Sequence, residues 1–513
     1  MTGTGLAVVS AALLLLSFPR FDMHYLAWVG FVPLYFALGG GSGRRRFLYG
    51  YLFGLVFLGL LMWWITVVRY PAPVGYAAGL LVIPVVFGAW GVAAGAFLRR
   101  DSRYPLFLMP GVLWVALEYL ASLGPFALPW WSLGYSQSLN LPAAQAASAG
   151  GMYAVSFLVT AVNGVVYTLA SGGWRRREAS VIVVSVAVAA VFVWGLWVVS
   201  KPSGGGRRAG VAVVQGNFKQ EEKEDPRIFA TIYEEHMRLT ADAVRRHDPD
   251  VVVWSETIAE YDWIAGETML PYMLDSLEDM GIMLVAGVYD RRGEMNYNSV
   301  VVLSPVRGYL GKYDKMHLVP FGEYVPGRNR LGRFPRLREW VDKNIYLFDT
   351  SPGRNPVVFE TEHGKLSTII CFESTLPQIA RKMTALGAEL LLVLTNDAWF
   401  EKSAAADQHA AMGVLRAIEN RRFVVQGAST GISVIVDPVG RRIASSKLFR
   451  REIVYGNVRF RGGRSFYTRF GDVFSWAMLL VSVSAPLMLK RFGRAGRRSG
   501  GAKKPRTTGI RRK

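Results

Sequence analysis

Long apolar runs occupy both ends of this chain, whereas its middle alternates short apolar and polar stretches. Seven apolar segments fall within the first 200 residues, and an eighth lies near the C-terminus. They are segments 4–19, 24–40, 47–68, 74–98, 105–124, 147–170, 180–199 and 473–489. Because a helix needs about 20 residues to cross a hydrocarbon core of roughly 30 Å, the pattern predicts a bundle of about eight transmembrane helices. The first two segments and the last are short for this purpose.

The pattern changes after a Gly-rich polar stretch at 201–208. In the residues that follow, β-branched runs alternate with amphipathic stretches. The runs predict strands at 209–215, 250–255, 282–288, 298–303, 366–371, 389–395, 423–427 and 432–436. The amphipathic stretches predict helices at 226–246, 269–280, 376–386 and 404–420. This alternation is typical of an α/β sandwich.

The two patterns together predict five parts of the chain. They are transmembrane helices one to seven (1–200), a linker (201–208), an α/β domain (209–460), a return segment with helix eight (461–490) and a basic tail (491–513).

The formal net charge of +21 is concentrated beside the apolar segments. Arginine clusters lie at 44–46, 99–103 and 175–177, and the stretch 490–513 holds eleven Lys or Arg residues and no acid. If eight helices alternate in direction, all four basic groups fall on one side of the membrane. The positive-inside rule then places both termini in the cytoplasm and the α/β domain outside it. A nucleic-acid-binding protein would carry such charge on a folded polar face, so that function is not expected.

Cys371 is the only cysteine of the 513 residues, and it ends a predicted strand just before Phe372 and Glu373. A lone thiol cannot form an intramolecular disulfide, and most such thiols are buried and inert. A reactive thiol needs a base to take its proton and a cation to balance the oxyanion that forms on attack. Glu256, which follows another predicted strand, and Lys315 are candidates for these roles. Each also has a plain structural interpretation, as a helix cap or a solvated hairpin residue.

The order of Glu256, the Lys-x-His-Leu sequence beginning at Lys315, and Cys371-Phe-Glu resembles the nitrilase superfamily. The segment 317–326 (His-Leu-Val-Pro-Phe-Gly-Glu-Tyr-Val-Pro) narrows the resemblance to the bacterial apolipoprotein N-acyltransferases. Further matching segments are 129–137, 214–217, 395–400, 408–409, 416–419 and 430–433. The resemblance therefore covers nearly the whole chain.

This resemblance implies an αββα sandwich and a two-step acyl transfer. Cys371 would be the nucleophile, Glu256 the general base and Lys315 the cation that stabilises the oxyanion. Glu323, Glu373 and Phe372 would support them. The acyl donor would be a membrane phospholipid, and the acceptor the N-terminal amine of an apolipoprotein carrying a diacylglyceryl-cysteine. The resemblance further implies a monomer without a cofactor in the bacterial inner membrane, with its catalytic domain on the periplasmic side.

Four aromatic residues are candidates for substrate contact at the membrane surface, although ordinary packing would also explain them. They are Trp130, Trp131, Trp399 and Phe400. Two positions depart from the family pattern: Glu224 stands where tryptophan is common, and Glu401 where glycine is usual.

Two rival functions fit parts of the sequence. A membrane-tethered amidase or nitrilase would use the same three residues but release its thioester with water. A non-catalytic lipid-binding scaffold would leave the three residues without a purpose. A metal site is not expected, because no two of the six histidines share an i, i+4 helix face.

Overall fold

The computed structural model describes residues 2–68, 72–98, 104–328, 333–344 and 349–499. Ten α-helices of the described part precede the first strand. They are α1 (Gly3–Ser17), α2 (Val32–Gly40), α3 (Gly43–Leu61), α4 (Ala72–Val82), α5 (Pro84–Leu98), α6 (Met109–Ala121), α7 (Leu141–Ala144), α8 (Ala147–Gly150), α9 (Met152–Ala170) and α10 (Glu178–Ser200).

Three apolar stretches of the described residues are long enough to cross a membrane: Ala72–Leu98, Met152–Ala170 and Glu178–Ser200. Three further helices, Gly3–Ser17, Leu106–Ala121 and Val473–Leu489, are apolar but shorter. Much of α10 is exposed, including the large apolar side chains of Val183 and Val193. Contiguous apolar surface of this kind marks a membrane or protein contact. These helices indicate that the chain is a membrane protein. The count of eight spans stays a prediction.

Segment 24–40 does not form one continuous helix. It folds as a short 3₁₀ turn, His24–Trp28, followed by the nine-residue helix α2. At 1.5 Å per residue, nine residues extend about 14 Å, roughly half of the hydrocarbon thickness. Pro33 lies in the first turn of α2 and starts a new helix there.

Two β-sheets form the middle of the chain. Their strands are β1 (Arg207–Gln215), β2 (Val251–Trp254), β3 (Ala259–Glu260), β4 (Met283–Arg292), β5 (Met295–Ser304), β6 (Gly308–Asp314), β7 (Phe359–Glu360), β8 (Lys365–Ile370), β9 (Leu390–Thr395), β10 (Phe423–Ala428), β11 (Val434–Val436), β12 (Arg442–Ser445) and β13 (Glu452–Phe460). One sheet has the order β13-β1-β2-β4-β5-β6, with β3 beside β4, and the other has the order β12-β11-β10-β9-β8-β7.

Further helices accompany these sheets in the described part of the chain, and several of them pack against the strands. They are α11 (Gln220–Lys223), α12 (Phe229–His247), α13 (Tyr261–Ala265), α14 (Leu270–Met280), α15 (Pro335–Asn344), α16 (Pro377–Ala385), α17 (Ala405–Asn420) and α18 (Phe466–Phe470), and α19 (Val473–Ser499) then returns to the apolar helices. Residues 500–513 of the basic tail lie outside the described residues, as do Arg99, Arg100 and Arg103.

The central strands are apolar on both faces because each face is covered. Val211 and Val253 belong to the core shared with the opposite sheet, whereas Ala212 and Trp254 pack beneath the outer helices. Continuous apolar runs are expected for strands buried in this way. All eight predicted strands and all four predicted helices are confirmed, with ends that shift by a few residues.

The sequence did not predict the edge strands β12 and β13. The side chains of β12 are half-buried or exposed, and β13 alternates half-buried, buried and exposed positions. Edge strands of this kind lack the apolar run that identifies a covered strand. The hairpin strand β6 was also missed, for the same reason: most of its residues are half-buried.

A buried ion pair joins the sandwich to the apolar helices. Arg416 Nη2 donates to Glu419 Oε1 at 3.1 Å, and the backbone N–H of Met152, the first residue of α9, donates to the same oxygen at 2.8 Å. Both charged side chains are fully buried. Glu419 therefore accepts donors from both parts of the molecule.

We expect Glu419→Ala to lower the free energy of unfolding by about 3–5 kcal/mol, because it leaves the Arg416 charge buried without its partner. Thermal unfolding in detergent measures this change. Glu360→Ala is the matched control, because Glu360 pairs with Lys365 at the surface and exposed pairs contribute little. Equal unfolding curves for the two variants would contradict the assignment of Glu419 as a buried support.

Candidate active site

Three strand ends place the candidate catalytic residues at one edge of the sandwich. Glu256 lies two residues beyond β2, Lys315 directly follows β6, and Cys371 directly follows β8. Strand ends are where α/β folds assemble functional sites. β2 and β6 belong to one sheet and β8 to the other, so the site lies where the two sheets meet.

The Lys315 ammonium lies between two carboxylates. Its Nζ is 2.8 Å from Glu323 Oε1 and 3.4 Å from Glu256 Oε1, and its side chain is only 2% exposed. Asn298 connects the same two oxygens, since its Nδ2 donates to Glu256 at 2.7 Å and to Glu323 at 3.2 Å. The ammonium is thus fixed from two sides, and rotation would break at least one of these contacts.

These contacts keep both Glu256 and Lys315 ionised. Burial alone would lower the pKa of Lys315, but Glu323 and Glu256 outweigh it and raise that pKa above its usual value. Burial alone would raise the pKa of Glu256, but the Lys315 charge and the Asn298 hydrogen bond hold it below its usual value. Glu256 is therefore available as a proton acceptor at neutral pH.

Cys371 lies close to the candidate base. Its thiol interacts with the Glu256 carboxylate and with the Thr395 hydroxyl, and both interactions shift the pKa values of the groups involved. Burial, followed by the Glu256 charge, raises the pKa of this thiol. The sulfur is consequently protonated at rest, and it needs a neighbouring base in order to attack.

The backbone at Cys371 adopts the left-handed region, with φ of +50°. Such a conformation is uncommon for a residue with a side chain and is often found at functional sites. The turn is held from behind by His409, whose Nε2 lies 3.2 Å from the Cys371 carbonyl oxygen. Asp397 lies 2.8 Å from the other ring nitrogen of His409. Although burial lowers the pKa of His409, Asp397 outweighs it and raises that pKa.

Glu373 ties the lysine loop to the cysteine loop. Its carboxylate accepts the N–H groups of Met316 at 2.8 Å, His317 at 3.0 Å and Ile370 at 2.9 Å, and the Tyr313 hydroxyl at 2.9 Å. Donors from both sides of the site thus converge on one buried side chain. Glu373 sets the distance between Lys315 and Cys371.

Aromatic rings line the side of the site that faces the apolar helices. Phe372 is stacked between His317 and Trp130, with ring centroids 5.9 and 6.5 Å away. Trp130 also donates to Gln408 Oε1 at 2.6 Å. Trp130 and Trp131 are both buried, so they do not project from the molecular surface. Trp399 and Phe400 are half-buried, and their contact with substrate stays a prediction.

Sequence reasoning missed four residues of this site. Asn298, Thr395, Asp397 and His409 reach it from β5, the end of β9, the turn beyond it, and α17. The matching segments 395–400 and 408–409 contained the last three, but nothing in their spacing indicated that they lie behind the thiol. Among the described residues, no group of three metal-binding side chains is found.

The two departures from the family pattern differ in their local structure. Glu224 is exposed and accepts a hydrogen bond from Gln220 Nε2 at 2.7 Å. Glu401 has a φ of +46° and a ψ of −147°, a conformation that glycine adopts without strain. This backbone geometry explains why glycine suits the position.

The fold and this cluster define the class of protein. Two stacked sheets with outer helices carry a buried carboxylate, a buried ammonium and a half-buried thiol at their shared edge, as expected for a carbon–nitrogen hydrolase domain. The carbon-nitrogen hydrolase model matches residues 210–466, and the model of the apolipoprotein N-acyltransferase N-terminal domain matches residues 10–165.

Full-length relatives make the assignment more specific. An apolipoprotein N-acyltransferase of Geobacter metallireducens is 34% identical, over 95% of this chain and 95% of its own length. One of Gloeobacter violaceus is 28% identical, over 97% and 96%. A crystal structure of a carbon-nitrogen hydrolase from Helicobacter pylori covers 53% of this chain and 94% of its own, with 18% identity and a TM-score of 0.39. The chain belongs to the apolipoprotein N-acyltransferase family.

We expect Glu373→Gln to lower the free energy of unfolding by about 1–3 kcal/mol. The amide that replaces one oxygen cannot accept the N–H groups that the carboxylate accepts, and a buried donor without a partner is destabilising by about that amount. The midpoint temperature of thermal unfolding and the rate of Cys371 alkylation should both fall. Glu294→Gln at an exposed position is the control. A Glu373→Gln variant that alkylates at the wild-type rate would contradict the role of Glu373 in spacing the two loops.

Glu401→Gly should raise the free energy of unfolding by about 1 kcal/mol. A side chain in this region of φ and ψ is destabilising by about 1–3 kcal/mol, and the extra flexibility of glycine in the unfolded chain offsets about 0.5–1 kcal/mol. Glu401→Ala keeps the strained backbone and should show no gain. Equal unfolding midpoints for the two variants would exclude backbone strain at this position.

Proposed function

We propose that this protein transfers a fatty acyl chain from a membrane phospholipid, through a thioester on Cys371, to the N-terminal amine of a diacylglyceryl-cysteine apolipoprotein. One observation carries the proposal. Glu256, Lys315 and Cys371, which are distant along the chain, converge in a chain that belongs to the apolipoprotein N-acyltransferase family.

In the first step, Glu256 takes the thiol proton as the sulfur attacks the ester carbonyl carbon of the phospholipid. Negative charge develops on the carbonyl oxygen, and Lys315 stabilises it. The carbon–oxygen bond then breaks. The lysophospholipid leaves with the proton that Glu256 held, and the acyl group remains on Cys371 as a thioester.

In the second step, the apolipoprotein amine attacks the thioester carbon. Glu256 takes a proton from the amine, the carbon–sulfur bond breaks, and the proton returns to the sulfur. The product is an amide. Because an amide is more stable than a thioester, the sequence of steps needs no nucleotide.

Both substrates are lipids, and a membrane location follows from this. Burying an acyl chain is worth about 0.8 kcal/mol per CH₂, so extraction of one long chain into water would be prohibitive. We propose that eight helical segments hold residues 209–460 against the outer face of the bacterial inner membrane, as a monomer. The basic clusters at 44–46 and 175–177 and the tail 491–513 would face the cytoplasm.

Intact mass spectrometry of the protein purified from membranes tests the first step. We expect a mass increment of one fatty acyl chain that neutral hydroxylamine removes. Cys371→Ser should lack the increment. Lys315→Met should form the thioester about 10²–10³ times more slowly, the usual effect of losing one group that stabilises the oxyanion.

Addition of a diacylated lipopeptide with a free N-terminal amine tests the second step. The thioester should disappear as the amide-linked product forms. Discharge by water alone, with no amide product, would favour the membrane-tethered amidase. An unmodified Cys371 in the presence of phospholipid would contradict the proposed transfer altogether.

A further inference from the structure

A second lysine enters the active site from the helix α11. Lys223 Nζ donates to the Glu256 carbonyl oxygen at 2.7 Å and to Thr257 Oγ1 at 3.1 Å. The lysine therefore holds the backbone of Glu256, the proposed general base. Thr257 has a φ of +50°, so this bond also fixes a strained turn.

The segment that carries Lys223 is anchored at a second point. Asn396 Nδ2 donates to Gln220 Oε1 at 2.7 Å, which joins the start of α11 to the turn after β9. Gln220 and Lys223 thus bind the α11 segment to both sheets, on either side of the Cys371 site. This arrangement restricts where the lysine charge can lie.

Lys223 changes the net charge of the groups near the Cys371 thiol. Lys315 is paired with two carboxylates, Glu256 and Glu323, so these three groups carry one net negative charge. His409 is paired with Asp397 behind the turn. If Lys315 were the only ammonium, the site would carry one net negative charge whether the proton is on the Cys371 thiol or on Glu256. Lys223 provides the positive charge that neutralises this excess.

We infer that Lys223 is a positioning residue that fixes the Glu256 turn and, through its charge, favours the anionic forms of Cys371 on which the proposed acyl transfer depends. The inference rests on the proposed function for its role in turnover. Its electrostatic part concerns the thiol alone and is measurable without any acyl donor.

Lys223 also has a distinctive protonation behaviour. Burial lowers its pKa to about 8, although Glu256, Cys371 and Glu224 act in the opposite direction. His236, whose pKa burial lowers to about 4, also interacts with Lys223. His236 is therefore neutral across the range in which Lys223 loses its proton. Between about pH 7 and pH 9, the charge at position 223 should disappear.

The test is the rate of Cys371 alkylation by iodoacetamide between pH 6 and pH 10. The full-length protein is used in detergent, after neutral hydroxylamine has removed any acyl group. A nearby opposite charge shifts a pKa by about 1–3 units, so Lys223→Met should react at least about tenfold more slowly than wild type at pH 7. The two rates should converge above about pH 9, where wild-type Lys223 is neutral.

Lys223→Arg keeps a permanent positive charge. Its Cys371 should therefore be alkylated faster than that of Lys223→Met up to pH 10. Lys219→Met is the matched control, because Lys219 is an exposed lysine directly before α11, and it should react like wild type. The wild-type profile is a second measurement that needs no variant. The slope of the logarithm of its alkylation rate against pH should fall below one near pH 8.

A ratio of wild-type to Lys223→Met rates that stays constant with pH would overturn the inference, because a purely structural contact has no reason to vanish with deprotonation. Equal rates for both proteins at pH 7 would overturn it as well. Absence of a phospholipid-derived thioester in a protein whose alkylation follows the expected profile would instead contradict the proposed function. The two failures are therefore distinguishable.

Discussion

The buried ammonium of Lys315 is the interaction on which the site depends. It lies between Glu256 and Glu323, and Asn298 bridges the same two carboxylates. Removal of either carboxylate would leave a charge in the interior with poor compensation, which is strongly destabilising. The same pairing keeps Glu256 ionised next to a protonated thiol. One ion-pair network therefore compensates the buried charges and keeps Glu256 ionised.

Two further buried acids join other parts of the molecule. Glu373 collects backbone donors from the lysine and cysteine loops, and Glu419 connects the sandwich to the first turn of α9. Each carboxylate satisfies N–H groups that would otherwise be buried without partners. The site is consequently held in position relative to the apolar helices as well as within the sandwich.

Side chains from the apolar helices and their connecting turns also help to form the region around Cys371. The aromatic stack of Trp130, Phe372 and His317 runs between the apolar helices and the Cys371 turn. Trp64, from the turn after α3, contacts both Trp130 and Phe400 with ring centroids 4.8 and 4.7 Å apart. Residues from the membrane-facing half therefore form one wall of the region next to Cys371, and a soluble sandwich alone would lack that wall.

The sequence by itself determined the covered strands, the principal outer helices and the division into apolar and mixed parts. The covered strands are visible because a strand buried on both faces is a continuous run of apolar residues. It also indicated Glu256, Lys315 and Cys371 as candidates, because Glu256 and Cys371 end predicted strands and the motifs around all three resemble those of a known family. The edge strands β12 and β13 were missed because their half-exposed positions do not form such a run. Only the tertiary structure revealed Asn298, Thr395, His409 and Lys223 around the thiol. Their contribution depends on distances between segments far apart in the chain, and hydrogen bonds and charges act through space, not along the sequence.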